Sequence, residues 1–245
     1  MMPVGPLMIE HRLIERMITL LDQHVKAASS PTMIDLSLIE KGVDFLRTYA
    51  DRCHHGKEEN ILFSALGVKP LKADEKRILG ELMDEHTIAR SSVKALADAR
   101  EQALQGNPGA YLDIVEIVGK IAVLYPAHIE KEDKHFFVPI MDYFSKEDQE
   151  EMLEQFAAFD QQLIHEKYRI LVDNLESAPQ KDEAGFSQVS SDTSVYECTV
   201  CGYKYDAALG DTEHSVPSGT SFANLPDDWS CPLCGSGKEL FERIN

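Results

Sequence analysis

The stretch HHGKEENILF, residues 54 to 63, contains two histidines that each precede a glutamate by four residues. An α-helix advances about 3.6 residues per turn, so His54 shares a face with Glu58, and His55 shares a different face with Glu59. Imidazole and carboxylate groups on one helical face can hold a metal ion, and together they suit iron. The stretch therefore predicts a metal site that uses one of two histidine–glutamate pairs.

The apolar stripe of the helix decides between the two pairs. Helical steps backwards and forwards from His54 meet apolar residues, whereas the steps from His55 meet aspartate and threonine. We therefore predict that His54 and Glu58 face the core, while His55 and Glu59 lie towards the edge or solvent. On this prediction, His54→Ala loses the metal site and His55→Ala largely keeps it.

A second pair of the same kind occurs in YPAHIEKEDKHFF, where His128 precedes Glu132 on an apolar face. His11 and His86 also stand on apolar faces of predicted helices. A single histidine on such a face is more commonly a hydrogen-bonded core residue than a ligand. Buried carboxylates without a cation are much more costly, by several kcal/mol each. Four histidines and two carboxylates in one interior therefore indicate metal, and two carboxylates able to bridge indicate two ions.

Long helices must position these side chains. Helical periodicity, breakers such as AASSPT and GNPG, and a capping-box pattern at Ser145 and Asp148 predict four main helices and a fifth. The predicted ranges are about 7–26, 33–66, 74–104, 110–143 and 145–175. Long helices with short connections pack antiparallel. We therefore predict a mainly α fold, an antiparallel four-helix bundle with an extra fifth helix.

The composition of the chain changes after this helical part. Residues 177–194 are rich in Ser, Ala and acidic residues without helical periodicity, which is typical of a flexible linker. The last fifty or so residues are rich in turns and aromatic side chains. We predict a helical domain at 1–176, a linker at 177–194 and a small metal-bound β domain at 195–245.

Charge and hydropathy exclude several classes of partner. The formal net charge of −18 argues against nucleic acid or an anionic membrane surface. The N-terminus has no basic region before an apolar stretch, and the most apolar segment is interrupted by Glu116 and Lys120. We expect a cytoplasmic protein that binds neither nucleic acid nor membrane.

Four histidines and two glutamates follow an order and spacing that resemble the hemerythrin family, specifically its bacterial hemerythrin-like (HHE) branch. The set is His11, His54, Glu58, His86, His128 and Glu132. The resemblance covers residues 7 to about 140. It implies two irons that are bridged by the two glutamates and by an oxo or hydroxo group. The first two histidines would be terminal ligands of one iron, and the last two histidines of the other.

The chain departs from the oxygen-carrying hemerythrins at the second iron. Those proteins carry a His-x-x-x-His pair on the third helix, whereas Leu82 and Arg90 flank His86 at the corresponding positions. The second iron therefore has an open position or takes another ligand, for which the candidates are His165, His135 and Tyr49. A ferritin-like site, as in rubrerythrin, is the alternative, but its Glu-x-x-His motif fits only once, at 132–135.

Four of the five cysteines form two CxxC pairs, Cys198 with Cys201 and Cys231 with Cys234. Paired CxxCG turns direct four thiolates at one ion in a tetrahedral arrangement. Together with the aromatic residues around them, the turns resemble rubredoxin across residues 195–245, which implies one iron in a four-cysteine site. A structural zinc ribbon is the alternative, but 29 residues separate the pairs, more than is usual for that motif. Cys53 is predicted to be a small buried apolar residue.

A one-electron centre joined to a diiron site favours three functions. The first is reduction of a small oxidant (nitric oxide, hydrogen peroxide or dioxygen) in oxidative or nitrosative stress, with electrons from an NAD(P)H-dependent rubredoxin reductase or a similar donor. The second is binding of dioxygen by a carrier or sensor. The third, implied by the family resemblance, is repair of damaged iron–sulfur clusters. The fused electron donor favours the first, an oxidoreductase.

The two predicted metal sites should be separable by mutation. Purified protein should contain about three irons per chain, two in the helical domain and one bound by cysteine. Cys198→Ser or Cys231→Ser should remove one iron and the red iron–thiolate absorption, which metal analysis and absorption spectra would measure. Loss of the diiron spectrum in the same variants would contradict the two-domain prediction.

Overall fold

The computed structural model describes residues 1–160, 168–169, 171–173, 175, 195–207, 209–211, 214 and 216–244. The predicted linker at 177–194 and the candidate ligand His165 lie outside the described residues. The chain divides into two compact units, one of residues 13–178 and the other of residues 1–12 together with 179–245. The mainly α fold with a small C-terminal β-sheet confirms the predicted fold class.

Five main helices occupy the described part of residues 1–160. They are α1 (Val4–Ala27), α2 (36–66), α3 (Ala73–Leu104), α4 (110–140) and α5 (Lys146–Phe159). Short 3₁₀ turns at Pro31–Met33 and Met141–Tyr143 precede α2 and follow α4. None of the described helices combines the length and apolar content that crossing a bilayer requires.

Local side-chain chemistry sets several helix ends. Asp35 begins α2 by accepting a hydrogen bond from the backbone N–H of Ser37 at 2.8 Å. The predicted capping box at the start of α5 is confirmed, because Ser145 and Asp148 each accept a hydrogen bond from the other's backbone N–H. Gly106, with a φ of 88°, closes α3 in a conformation that favours glycine.

Two helices that carry predicted ligands contain π-helical segments. In α2 these segments are Leu46–His55 and Glu58–Phe63, and in α4 the segment is Glu132–Phe136. A π-helix closes its hydrogen bonds over five residues instead of four, so each turn holds more residues and the side chains rotate relative to an α-helix. The 3.6-residue period assumed for α2 therefore does not hold across the residues that carry the metal-binding motif.

The fifth helix is shorter than predicted. It ends at Phe159, because Asp160 adopts an extended backbone conformation. The Asp160 carboxylate accepts hydrogen bonds from the buried Lys57 ammonium at 2.7 Å and from the Cys53 thiol at 3.1 Å. Residues 168–169, 171–173 and 175 are again helical, so the predicted range of 145–175 contains an interruption after Phe159.

One apolar cluster fills the helical unit. The 13–25 stretch of α1 contributes Ile14, Met17, Ile18 and Leu21, and α2 contributes Ile39, Phe45 and Leu46. The α3 helix packs along α4 and α2, with small residues such as Ala89 and Ala99 at these contacts. The aromatic rings of Phe45, Tyr49 and Tyr168 pack together, with centroids 5.0 to 5.9 Å apart. This packing fixes α2, α3 and α4 as the frame of the predicted metal site.

The C-terminal part contains a three-stranded antiparallel sheet. Its strands are β1 (Val195–Cys198), β2 (Lys204–Asp206) and β3 (Phe241–Arg243), in the order β2–β1–β3. In register, Tyr196 pairs with Tyr205 on one side and with Arg243 on the other. The predicted aromatic core is confirmed, with Tyr196, Tyr203, Tyr205, Phe222, Trp229 and Phe241 in one cluster.

A buried carboxylate is part of this small core. Asp211 accepts hydrogen bonds from the Trp229 indole N–H at 2.8 Å and from the Nδ1 of His214 at 2.7 Å. Burial alone raises the pKa of Asp211, but the hydrogen bonds from Trp229 and His214 hold it below its ordinary value. The charged form is therefore stabilised in the folded domain.

We expect Asp211 to make the stability of this domain depend on pH. Because its folded-state pKa lies below the unfolded value of about 3.9, the stabilisation is present above about pH 4 and is lost as the pH falls through the folded pKa. At pH 7, Asp211→Ala should lower the free energy of unfolding by about 1–3 kcal/mol, and the difference from wild type should shrink towards acid pH. Thermal unfolding followed by iron–thiolate absorption measures this. The exposed Asp227, changed to alanine, is the control and should show no such effect.

Candidate metal centres

Two groups of buried side chains in the helical part bring metal-binding atoms together. Within each group one donor atom per residue lies within 4.8 Å of the others. The first group is His11, His54, Glu58 and Glu132, and the second is His55, Glu58, His86 and His128. All six residues predicted to bind the two irons are therefore in these groups. His55 is a seventh residue, which the sequence did not predict there.

The carboxylate of Glu58 joins the two groups. Its Oε1 lies 3.2 Å from Nε2 of His54, and its Oε2 lies 3.4 Å from Nε2 of His86. Glu132 is also shared, because it belongs to the first group while its Oε2 lies 3.3 Å from Nε2 of His128. Each carboxylate thus offers oxygen to both groups, as bridging between two ions requires.

The charges of these carboxylates fit a cationic occupant. Burial, followed by the negative charges of Glu58 and Asp133, raises the pKa of Glu132 well above its ordinary value. Burial also acts to raise the pKa of Glu58, but His54 and His86 hold it well below its usual range. Two carboxylates that are fully buried side by side cannot both carry charge without strong positive charge nearby. Imidazole and carboxylate donors around two adjacent positions fit two iron ions.

The structure corrects the prediction for His55. This residue was expected towards the edge or solvent, but it is only 2% exposed and its ring stacks on that of His86, with centroids 3.8 Å apart. Burial, followed by the charge of His86, lowers the pKa of His55 to about 3. The π-helical segment at 46–55 is the reason, since its wider turn brings consecutive histidines to the interior.

His55 makes the numbers of imidazoles in the two groups unequal. The second group contains three histidines and the first contains two. His55 of α2 therefore lies in the group where α3 lacks a second histidine, so the first group is now the one with fewer imidazoles. A signal for this was present in the sequence, because His55 follows His54 directly and Arg90 occupies the missing position on α3.

A chain of polar contacts holds two histidines of the second group. The Nδ1 of His86 is 2.7 Å from Oε1 of Glu59, and the Nδ1 of His55 is 3.5 Å from Oδ1 of Asp51. Arg90 connects the two carboxylates, donating to Glu59 at 2.6 Å and to Asp51 at 2.7 Å. Carboxylates on the far nitrogen of a ligating histidine fix its orientation and raise its basicity. Glu59, which the sequence placed at the edge, therefore supports the site.

His128 has a support of the same kind. Its Nδ1 lies 2.8 Å from Oε2 of Glu85, and the Lys131 ammonium donates to the other Glu85 oxygen at 2.6 Å. The hydrogen bond with His128, together with that from Lys131, lowers the pKa of Glu85 to about 2. Each histidine of the second group thus has a carboxylate beside its Nδ1, which leaves its Nε2 for a metal ion.

The remaining candidate ligands lie elsewhere. His135 is exposed on the π-helical end of α4 and belongs to neither group. Tyr49 is buried in the aromatic packing with Phe45 and Tyr168. Cys53 is buried as predicted, and its thiol donates to Asp160.

A cavity of about 290 Å³ lies beside the second group, between α2, α3 and α4. Its wall includes His55 and Tyr125, both of which also line a narrow gap that reaches His86 and His128. The gap is too narrow for a water molecule. The cavity therefore brings small molecules to His55 of the second group, while His86 and His128 lie beyond the narrow gap.

The four C-terminal cysteines form a separate buried group. Their sulfurs lie within 4.8 Å of one another, with Cys198 and Cys234 at 3.8 Å and Cys201 and Cys231 at 3.7 Å. Tetrahedral thiolate sites with metal–sulfur distances of about 2.3 Å have sulfurs roughly 3.8 Å apart. Each pair sits in a turn closed by a glycine of positive φ, Gly202 at 79° and Gly235 at 77°. The group fits one iron, as the rubredoxin resemblance implies.

Comparison with known families agrees with both sites. The chain belongs to the hemerythrin HHE cation binding domain family, whose family model matches residues 2–139. The rubredoxin family model matches residues 195–241. The structure and these matches support a diiron site in the helical part and an iron with four cysteine ligands at the C-terminus.

Several curated rubredoxins resemble the C-terminal part. A high molecular weight rubredoxin of Moorella thermoacetica is 57% identical over 49 residues, which are 20% of this chain and 21% of that protein. Rubredoxin-2 of Chlorobaculum tepidum is 53% identical over 49 residues, which are 20% of this chain and 94% of that protein. The chain thus spans about a fifth of the length of the Moorella protein. The matches support a non-haem iron protein with electron transfer by a rubredoxin domain.

We expect His55→Ala to weaken the diiron site, in contrast to the expectation from the apolar stripe. Loss of a residue that only supports a ligand costs about 10- to 100-fold in metal affinity, and loss of a ligand should cost at least as much. Iron content after dialysis against a chelator, and the diiron absorption spectrum, measure the effect. His135→Ala is the control and should keep wild-type iron. Wild-type iron content and spectrum in His55→Ala would restore the edge assignment.

Proposed function

We propose that the protein reduces a small oxidant (nitric oxide, hydrogen peroxide or dioxygen) at the diiron site, with electrons delivered one at a time by the rubredoxin domain. When bound, the two irons supply two electrons to the oxidant, and the cysteine-bound iron returns them singly. Reduction of one hydrogen peroxide to two waters consumes two electrons and two protons, so two single-electron deliveries complete each cycle. The observation that carries this proposal is the presence of both types of site in one chain.

The proposed ligands are those that the two groups contain. His11 and His54 would hold one ion, and His86 and His128 would hold the other. Glu58 and Glu132 would supply oxygens to both, because each approaches histidines of both groups. His55 is added as a third imidazole of the second ion. The cysteine-bound iron is held by Cys198, Cys201, Cys231 and Cys234.

This ligand set leaves the first ion with fewer imidazoles than the second. We therefore place the oxidant at the first ion, which His11 and His54 would hold with fewer imidazoles than the second. The Phe63 ring packs against His86 of the second group, with a centroid distance of 6.0 Å. The carboxylates beside the three histidines of the second group keep the imidazoles oriented while the charge of the site changes.

The proposed electron source is an NAD(P)H-dependent rubredoxin reductase or a similar donor. Residues 195–245 contain eight Asp or Glu residues against three Lys or Arg residues, so a basic patch on the reductase would be attracted to them. We retain the division into 1–176, 177–194 and 195–245 as part of the proposal, since a linker would let the small domain dock and release. The predicted cytoplasmic location stays a prediction.

Turnover by the intact chain tests the proposal. With a reductase, NADH and excess oxidant, the wild type should turn over continuously. Cys231→Ser should complete one reduction after chemical pre-reduction and then stall, because the diiron site remains but its electron supply is lost. NADH oxidation and oxidant consumption, measured for each of the three oxidants, give the rates and identify the oxidant.

The fifth cysteine offers a matched control. Cys53→Ser removes a thiol that lies outside the four-cysteine group and should retain continuous turnover. If Cys231→Ser sustained the wild-type rate from the same reductase, the proposed reduction cycle would be wrong. Reversible binding of dioxygen without turnover would instead favour a carrier or sensor. Recovery of damaged iron–sulfur proteins would favour repair.

A further inference from the structure

The lining of the cavity beside the second group is positively charged in a protein that is acidic as a whole. Three of the nine arginines in the chain, Arg47, Arg52 and Arg90, line it, against the single acidic residue Asp51. Its lining therefore has a formal charge of +2, whereas the whole chain has −18. Several cationic side chains around one cavity favour an anionic occupant.

The arginines that line the cavity have N–H groups that form no hydrogen bond with the described residues. Arg47 and Arg52 are exposed, and within the described part of the chain neither forms an ion pair or a hydrogen bond. Arg90 uses its Nε for Asp51 and its Nη2 for Glu59, and its Nη1 forms no hydrogen bond with a described residue. Guanidinium groups with free donors match the planar geometry of small oxyanions.

Two buried polar side chains extend the donor set inwards. Tyr125 is 3% exposed, and among the described residues its hydroxyl has no hydrogen-bond partner. The Nδ1 of His55 is buried without a hydrogen bond, since Asp51 lies 3.5 Å away. If Nε2 faces a metal ion, Nδ1 carries the hydrogen and is a donor. A buried donor without an acceptor is rare in folded proteins, so the Nδ1 of His55 indicates an occupant of the cavity, which the Tyr125 hydroxyl also lines.

The size and place of the cavity separate it from the proposed oxidant position. A volume of about 290 Å³ has room for several water molecules, more than a diatomic molecule requires. The narrow gap that reaches His86 and His128 does not admit water, so an occupant of the cavity does not reach these two histidines.

We propose that this cavity binds a small planar oxyanion of single negative charge, the class that includes nitrite, nitrate and bicarbonate. Arg47 and Arg52 attract the anion at the mouth, and Arg90, Tyr125 and His55 donate hydrogen bonds to it inside. The anion lies close to the second ion and stabilises its more positive state. By thermodynamic reciprocity, oxidation of the diiron site strengthens anion binding. This site goes beyond the proposed reduction of an oxidant and does not require it.

Nitrate is a suitable probe because it is a weak iron ligand. Titration calorimetry of the oxidised, iron-loaded full chain at constant ionic strength should show saturable binding of about one nitrate per chain. The Arg47→Gln/Arg52→Gln double variant should bind nitrate about tenfold more weakly, since charge-assisted hydrogen bonds are lost. Tyr125→Phe, which removes only a hydroxyl, should weaken binding by about three- to tenfold. Each variant should retain its iron, because none of the three changed residues belongs to the two groups of metal-binding side chains.

Arg100 provides the matched control. It lies on α3 like Arg90 and also connects to α2, with a hydrogen bond to the Leu36 carbonyl at 2.9 Å and an ion pair with Glu40, but it does not line the cavity. Arg100→Gln should therefore bind nitrate as the wild type does. Absence of saturable binding overturns the proposal, and so does equal weakening by Arg100→Gln, which would indicate only the general field of the protein. Unchanged binding in the cavity variants, with competition by azide at the iron, would place nitrate on the metal and also overturn it.

Discussion

Two buried carboxylates determine how the helical part is built. Glu58 and Glu132 are both fully buried, and their negative charges lie close enough to act on each other. Isolated charges of this kind are too costly to bury, so the polar groups nearest to the two carboxylates provide positive charge or hydrogen-bond donors. Five imidazoles surround them, and further carboxylates, Arg90 and Lys131 stabilise three of those imidazoles in turn. The bundle is best understood as layers of alternating charge around a dimetal centre, enclosed in apolar helices.

The sequence predicts those parts of this arrangement that depend on residue composition and on short motifs. Inward histidines at four positions, the paired Glu58 and Glu132, and the two CxxC pairs are all brought together as expected. Each of these residues lies on a strong apolar stripe or in a motif whose chemistry has few alternatives. The aromatic core of the C-terminal domain follows for the same reason, because a chain of that size has few other large side chains to bury.

The errors come from places where the backbone departs from regular geometry. His55 was assigned to the edge because a constant helical period was assumed, and the π-helical turns at 46–55 and 58–63 break that period. The supporting carboxylates were missed because Glu59 and Glu85 contact histidines on other helices. The hydrophobic periodicity of a single helix does not reveal contacts between side chains of different helices. The end of α5 was missed for a similar reason, since Asp160 is held by Lys57, about a hundred residues earlier in the chain.

The position of Trp229 has a practical consequence. It is the one tryptophan in the chain, and it is buried in the C-terminal core with its indole N–H bonded to Asp211. Light of a wavelength that only indole absorbs therefore excites the rubredoxin domain and not the helical domain. Emission from that single residue is an intrinsic reporter of whether the small domain is folded, and of whether a nearby iron quenches it. The two halves of the molecule can thus be observed separately in the intact chain, without labels.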